Sequence, residues 1–211
     1  WYMRTNYNLY EYEDSLHKEG YKYIGGTDEA GRGPLFGPVV AACCILPNDF
    51  KLEGLTDSKQ LTEKKREKYF DYIKENALAY GIGIVDHKEI DRINIYAASK
   101  KAMMIAIEEA SKKIKPDYVL TDAMPLELDI PVLPIIKGDA KSISIAAASV
   151  LAKVTRDRMM YEVDKKYPEY GFANHKGYPT KKHIEAIHKY GLIDGYRLTY
   201  GPVKEIVNNT I

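Results

Sequence analysis

The spacing of hydrophobic and polar positions alternates along the first half of the chain between a helical period and a strand period. Apolar side chains three or four positions apart predict helices, whereas short apolar or alternating runs bounded by glycine or proline predict strands. The predicted elements are a helix over 6–19, strands over 21–27 and 36–46, a charged helix over 62–74 and a strand over 77–85. The strands within 21–46 flank the turn 31–34 and are expected to pair as an antiparallel hairpin.

The second half of the chain combines longer helices with two short apolar strands. The pattern predicts a helix over 94–114, strands over 118–122 and 131–136, helices over 142–166 and 180–190, and a short helix after Pro202. This order indicates an α/β fold with a mixed sheet, in which three antiparallel strands precede parallel strands and helices flank both faces. We expect one domain with a small C-terminal helical extension.

Composition and charge exclude several classes of protein. The 211 residues are 45% hydrophobic and 29% charged, which is typical of a globular domain and excludes disordered, collagen-like and coiled-coil chains. The formal net charge is only +1, so any attraction to nucleic acid would have to come from local patches. Residues 131–190 form such a patch, with eleven basic and six acidic residues and a net charge of +5.

The only two cysteines, Cys43 and Cys44, are neighbours in the apolar run 39–46. Adjacent strand residues face opposite sides of a sheet, so we expect two buried thiols rather than a disulfide. The run is too short to cross a membrane and no signal peptide is visible, which favours a soluble cytoplasmic protein. Because the chain begins with Trp1, we expect residues 1–20 to be a helical segment left from a longer N-terminus.

Acidic residues follow the predicted strands at the points where these end. Asp28 and Glu29 end the first strand, Asp122 ends the fourth, and Asp139 follows the fifth. Each acid alone could be a loop residue or a helix cap, and Asp139 could cap the helix over 142–166. Together, however, strand ends converge on one edge of a sheet, and four converging carboxylates require a divalent cation. Oxygen ligands suit Mg²⁺ or Mn²⁺, and the five histidines lack the spacing of a zinc site.

Five segments of the sequence resemble the signatures of bacterial ribonuclease HII and occur in the same order. They are GGTDEAGRGPLFGPVV at 25–40, DSKQL at 57–61, KGDAKSISIAAAS at 137–149, HKGYPT at 175–180 and GPVK at 201–204. Five ordered matches over nearly the whole chain are far more specific than any single one. The resemblance implies a ribonuclease-H-like fold, with 21–166 as the catalytic core and 167–211 as a substrate-binding extension of the same domain.

The resemblance also implies a metal-dependent endonuclease. Such an enzyme cuts RNA in RNA–DNA hybrids and incises duplex DNA 5′ of a single ribonucleotide, leaving a 3′-hydroxyl, and thereby serves ribonucleotide removal. Its catalytic, metal-binding acids would be Asp28, Glu29, Asp122 and Asp139. Two bound ions would suit this hydrolysis, since one activates water while the other stabilises the leaving oxygen, and Asp28 would bridge them.

Asp122 has two competitors in the sequence. The family often has glycine directly after this acid, whereas this chain has Ala123. Asp117 and Asp129 lie nearby, but Asp117 begins a predicted strand and Asp129 lies in a proline-flanked loop. We therefore assign the third acid to Asp122.

Residues inside the signatures are the predicted substrate contacts. The turn at Gly31, Arg32 and Gly33 has the wrong spacing for a dinucleotide site. By resemblance it would contact the ribose 2′-hydroxyl, with Tyr178 stacking on the sugar; a packing role for Tyr178 is the alternative. The remaining predicted contacts are Ser58, Lys59, Lys141, Ser142 and Lys176. The three lysines, together with Arg32, would bind phosphate.

Other functions remain as alternatives at this point. A related nuclease, such as a ribonuclease HIII or a resolvase-like enzyme, would share the acids, although the turn at 31–33 together with Tyr178 favours ribonuclease HII. A noncatalytic nucleic-acid-binding module would be expected to lose at least one of the four acids. We expect a monomer that binds RNA–DNA hybrids and ribonucleotide-containing DNA and has no membrane partner.

Overall fold

A five-stranded mixed sheet forms the centre of the molecule. The computed structural model describes residues 8–210. The strands are β1 (Ile24–Ala30), β2 (Val39–Ile45), β3 (Ala79–Val85), β4 (Tyr118–Asp122) and β5 (Val132–Ile135). Their order across the sheet is β3-β2-β1-β4-β5, with β1, β2 and β3 antiparallel and β1, β4 and β5 parallel. The predicted fold class is therefore confirmed.

Helices cover both faces of this sheet. The helices are α1 (Glu11–Lys18), α2 (Glu63–Asn76), α3 (His87–Ile93), α4 (Ile95–Ser111), α5 (Ile143–Lys166), α6 (Phe172–His175), α7 (Lys181–Tyr190) and α8 (Gly201–Asn209). Helices α2 and α5 lie on one face and α3 and α4 on the other, whereas α6, α7 and α8 pack around the far end of α5. The fully buried strand β2 shows how the layers form. Its residues Ala42 and Cys44 pack in the cluster with α2 and α5, whereas Ala41 and Cys43 pack in the cluster with α4. Alternation along one strand thus builds two apolar cores, one on each face.

The last part of the chain surrounds the far half of α5. An aromatic cluster joins Phe36, Tyr170, Phe172 and Tyr196 with Met160 of α5. In this cluster the rings of Phe36 and Phe172 lie 4.5 Å apart, centroid to centroid. The loop between β1 and β2 is therefore held between α5 and the C-terminal segments, which places it at the edge of the sheet where the acids lie.

Several local predictions differ from the structure. The connection between β1 and β2 is a loop of residues 31–38 rather than a tight turn, because Phe36 bridges to Tyr196 instead of extending β2. Helix α3 was not predicted; the Asp86 side chain accepts the Glu89 N–H and caps it. The predicted helix over 6–19 is observed as α1, and residues 1–7 lie outside the described residues.

Within 8–210, no helix combines the length and apolar character needed to span a bilayer.

Candidate active site

Three acids from three different elements meet at the carboxyl edge of the parallel strands. Asp28 lies near the end of β1, Asp122 is the last residue of β4, and Asp139 lies in the turn after β5. One carboxylate oxygen from each lies within 4.8 Å of the other two. The Asp122 carboxylate also accepts the Gly138 N–H at 2.8 Å, which fastens the turn that carries Asp139. The convergence expected from the strand ends is thus observed for these three residues.

Glu29 lies beside this cluster rather than in it. It lines the same cavity, and its Oε1 is 3.5 Å from the Arg32 guanidinium. Its Oε2 is buried and has no hydrogen-bond partner among the residues described. A buried carboxylate oxygen without a donor is unfavourable unless a cation or a ligand completes its surroundings.

Burial and mutual repulsion perturb the titration of this acidic group. Burial, followed by the negative charges of Glu29, Asp122 and Asp139, raises the pKa of Asp28 well above its usual value. Burial, together with the charges of Asp122 and Asp57, raises the pKa of Asp139 to about 7. Burial likewise raises the pKa of Glu29. A bound divalent cation would offset the repulsion between these carboxylates, and hard cations such as Mg²⁺ prefer oxygen ligands. The residues therefore fit such a metal.

The two competitors of Asp122 lie outside the cluster. The Asp117 carboxylate accepts the backbone N–H groups of Lys22 and Tyr23 at 2.8 and 2.9 Å, just before β4 begins. Asp129 is exposed and pairs with Lys115 at 3.0 Å. Both acids therefore have partners of their own and are not members of the carboxylate cluster.

A cavity of about 590 Å³ opens above the acids. Besides the four acids, the predicted residues that line it are Gly31, Arg32, Gly33, Ser58, Lys59 and Tyr178. Partial burial lowers the pKa of Lys59, but the charges of Asp57, Asp139 and Asp28 outweigh that effect and raise its pKa above the usual value. The cavity therefore has an acidic floor with a firmly protonated ammonium group at its side.

Three predicted substrate contacts do not line this cavity. Ser142 is fully buried and donates its hydroxyl to Glu13 of α1, so it is engaged within the fold. Lys141 lines a separate cavity formed with α1. The Lys176 ammonium donates to the carbonyl of Ala173 and lies 4.4 Å from the centre of the Tyr161 ring. These three residues share a motif with residues of the site but do not line the cavity above the acids, and their contact with substrate stays a prediction.

Sequence reasoning missed four residues that line the cavity, namely Ala30, Arg66, Ser149 and Lys153. Arg66 donates to the carbonyls of Ser58 and Leu61 at 3.0 and 2.6 Å, and Ser149 Oγ accepts the Ser58 N–H at 3.2 Å. Ser149 and Lys153 are one helical turn apart on α5, a spacing that places them on one face. This spacing could have predicted from the sequence that Lys153 lies beside Ser149. No pattern in the sequence around Arg66 identifies it as a residue of the site.

Comparison with known proteins agrees with this architecture and site. The ribonuclease HII family model matches residues 25–200. The chain is 57% identical to a ribonuclease HII of Listeria innocua over 92% of its length and 74% of that protein. It is 54% identical to one of Bacillus cytotoxicus over 95% of its length and 77% of that protein.

Among solved structures, the ribonuclease H2 of Pyrococcus horikoshii superposes with a TM-score of 0.75 at 30% identity, covering 89% of this chain and 98% of that one. The extent of these matches and the acidic cluster lead to the same assignment. The chain belongs to the ribonuclease HII family, whose members are ribonuclease H-type endonucleases that cleave RNA in RNA–DNA hybrids and at ribonucleotides embedded in DNA.

Proposed function

We propose that Asp28, Glu29, Asp122 and Asp139 are the catalytic residues of this endonuclease and that they hold two divalent ions, Mg²⁺ or Mn²⁺. The reaction is hydrolysis of the phosphodiester 5′ of a ribonucleotide, which leaves a 3′-hydroxyl. The observation that carries the proposal is the convergence of three carboxylates within 4.8 Å at the ends of parallel strands. Ions bound there supply an activated water and stabilisation of the leaving oxygen.

The residues around the acids have different roles in binding metal, positioning the acids and binding phosphate. The charges of all three other acids contribute to the raised pKa of Asp28, which supports Asp28 as the residue that would bridge two ions. Asp122 holds the Asp139 turn in place through the Gly138 N–H. Lys59 supplies positive charge beside Asp28 and Asp139, where a phosphate oxygen of the substrate would lie. Arg66 and Ser149 hold the Ser58 backbone and thereby fix the segment that carries Lys59.

We assign recognition of the ribose to the segment 31–33 and to Tyr178. Tyr178 is 39% exposed at the cavity, and a Cβ added to Gly33 would lie 3.1 Å from its ring carbon Cε1. Glycine at position 33 thus lets the ring close against the backbone. A ring stacked on the sugar and backbone groups facing its 2′-hydroxyl would separate RNA from DNA.

Phosphate contacts beyond the cut site are assigned to Arg32, Arg66 and Lys153, which line the cavity. Lys141 and Lys176 stay predicted contacts to parts of the duplex outside the cavity. In this proposal the core 21–166 performs the cleavage and the segment 167–211 contacts the duplex. The protein acts as a cytoplasmic monomer in ribonucleotide removal from DNA.

Three duplexes test the proposal: one with a single ribonucleotide, one RNA–DNA hybrid and one of DNA alone, each with Mg²⁺, Mn²⁺ or EDTA. Cleavage of the first two with either metal, and of none in EDTA, is expected. Asp28→Asn and Asp139→Asn should lose at least a hundredfold in turnover across a Mn²⁺ titration. Wild-type turnover in either variant would refute the assignment of the acids.

Tyr178→Ala tests the recognition role separately. It should lose cleavage at a lone ribonucleotide by more than it loses binding to plain DNA. Equal losses in the two measurements would contradict a role in reading the sugar.

A further inference from the structure

Two arginine side chains are completely buried behind the loop that joins β1 to β2. Arg156 of α5 is 1% exposed and Arg197 is 0% exposed. Neither forms an ion pair with a carboxylate anywhere in residues 8–210. A buried charge without a counter-charge is costly, so its hydrogen bonds must compensate.

Backbone carbonyls provide that compensation, and most of them belong to the loop 31–38. Arg156 donates to the carbonyl oxygens of Pro38, Lys176 and Phe36 at 3.0, 2.8 and 2.8 Å. Arg197 donates to those of Gly37, Arg32 and Gly31 at 2.9, 3.0 and 2.6 Å. Two guanidinium groups thus bind five carbonyls of this one loop.

The direction of these carbonyls determines where the amide groups point. In a trans peptide the C=O and N–H bonds are antiparallel, and the described residues contain no cis peptide. Because the carbonyls of Gly31 and Arg32 point at Arg197, the N–H groups of Arg32 and Gly33 point away from it. Arg32 and Gly33 line the catalytic cavity, so these two amides are donors on its side of the loop.

Tyr200 strengthens the same arrangement. Its hydroxyl donates to the Arg32 carbonyl at 2.5 Å and accepts from Arg197 at 3.0 Å. A carbonyl that accepts from a cation is polarised, and the amide of the same peptide unit becomes a better donor. Arg197 and Tyr200 therefore both orient the Arg32–Gly33 amide and increase its donor strength.

We propose that Arg197, supported by Tyr200, is a positioning residue for ribonucleotide recognition: it aims the N–H groups of Arg32 and Gly33 at the 2′-oxygen of the ribose. This inference rests on the proposed recognition role of residues 31–33. The guanidinium fork is required, because a lysine ammonium cannot hold three carbonyls in fixed directions. Arg197 itself does not touch the substrate.

The test measures binding to two duplexes that differ only in one 2′-hydroxyl, with Ca²⁺ replacing Mg²⁺ to suppress turnover. Wild type should bind the ribonucleotide duplex about tenfold more tightly, as one good hydrogen bond allows. Arg197→Lys should remove this preference and Tyr200→Phe should reduce it to an intermediate value. Both should bind the all-DNA duplex within about twofold of wild type.

Tyr170→Phe is the matched control, because it removes a hydroxyl that donates to the Gly191 carbonyl at 2.7 Å, away from the loop. It should keep the full preference. A preserved preference in Arg197→Lys or Tyr200→Phe, or equal weakening on both duplexes, would overturn the inference. If Arg197→Lys does not fold, Tyr200→Phe decides. A wild-type protein without any preference would instead refute the proposed recognition role itself.

Discussion

Gly26 of β1 lies directly against the backbone of Ser144 in the first turn of α5. A Cβ at position 26 would stand 2.2 Å from the Ser144 carbonyl carbon and 2.4 Å from the Ile145 nitrogen. Only glycine permits this approach, which brings the start of α5 onto the strand that carries Asp28. The turn with Asp139 immediately precedes α5, so this contact helps to set the distance between the two acids.

We expect Gly26→Ala to lower the free energy of unfolding by about 3 kcal/mol or more, since backbone atoms cannot move aside as a side chain can. Urea denaturation of the metal-free protein measures this change. Gly201→Ala is the control, because a Cβ at the start of α8 would meet nothing within 4 Å. Similar unfolding midpoints for the two variants would contradict the close contact.

Repulsion within the acidic cluster predicts a variant that gains stability while losing metal binding. Asp28→Asn removes a buried carboxyl group whose ionisation is opposed by burial and by the charges of the other three acids, so in EDTA it should be more stable than wild type by about 1 kcal/mol. Mg²⁺ should raise the melting temperature of the wild type but not that of Asp28→Asn. Thermal unfolding with and without Mg²⁺ tests both statements. Asp129→Asn, which alters an exposed pair with Lys115, should retain the Mg²⁺ effect.

Metal affinity should depend on pH through the same carboxyl groups. Their pKa values are raised above those of the unfolded chain, and that of Asp139 is raised to about 7. The folded protein therefore holds protons between about pH 4 and 7 that the unfolded chain has already released, so the cluster's contribution to metal-free stability falls as pH rises through this window. A metal must displace these protons, so Mn²⁺ affinity should rise with pH and binding should release protons.

Calorimetric titration with Mn²⁺ in two buffers of different ionisation enthalpy measures the released protons. Mn²⁺ binding tests this prediction better than the pH dependence of the free energy of unfolding does, because His183 changes that free energy with pH in the opposite direction. Burial lowers the pKa of His183 to about 4, so its contribution to stability is lost as pH falls from 6.5 towards 4. A pH-independent Mn²⁺ affinity would contradict the prediction.

The residue after Asp122 offers a stabilising substitution close to the site. Ala123 has φ +58°, in the left-handed region that disfavours a side chain, and it is exposed. Ala123→Gly should therefore raise the free energy of unfolding by roughly 1 kcal/mol, and the Asp122 position should be unchanged. Chemical denaturation and Mn²⁺ affinity, measured together, check this result. A destabilised variant would show that Ala123 is not strained.

The strands and the convergence of the acids could be predicted from the sequence because both follow from local rules. Apolar runs predict strands, and parallel neighbours bring the residues at their ends to one edge. Asp28 and Asp122 follow this rule directly, whereas Asp139, in the turn after β5, is also held by the hydrogen bond from the Gly138 N–H to Asp122. Glu29 shows the limit of this rule. It follows Asp28 in β1 and lines the same cavity, but only Asp28 belongs to the close cluster of carboxylates.

Side-chain direction inside a motif could not be predicted in the same way. Ser142 turns inward because Glu13, 129 positions earlier, provides its acceptor. In the sequence, Arg156 and Arg197 are two basic residues that could bind phosphate. In the structure Arg156 donates to the carbonyl of Pro38, 118 positions away, and Arg197 donates to that of Gly31, 166 positions away. Such partners are known only once the chain has folded, because no periodicity encodes them.

The two buried cysteines make the protein suited to site-specific labelling. Cys43 and Cys44 have no exposed surface, and burial raises the pKa of the Cys43 thiol to about 12 and that of Cys44 well above its usual value. Maleimides react with accessible thiolates, so native protein should take up no dye. A single cysteine introduced at an exposed position such as Tyr190 would then carry a fluorophore alone, and its distance to a labelled duplex could be followed without removing either native cysteine.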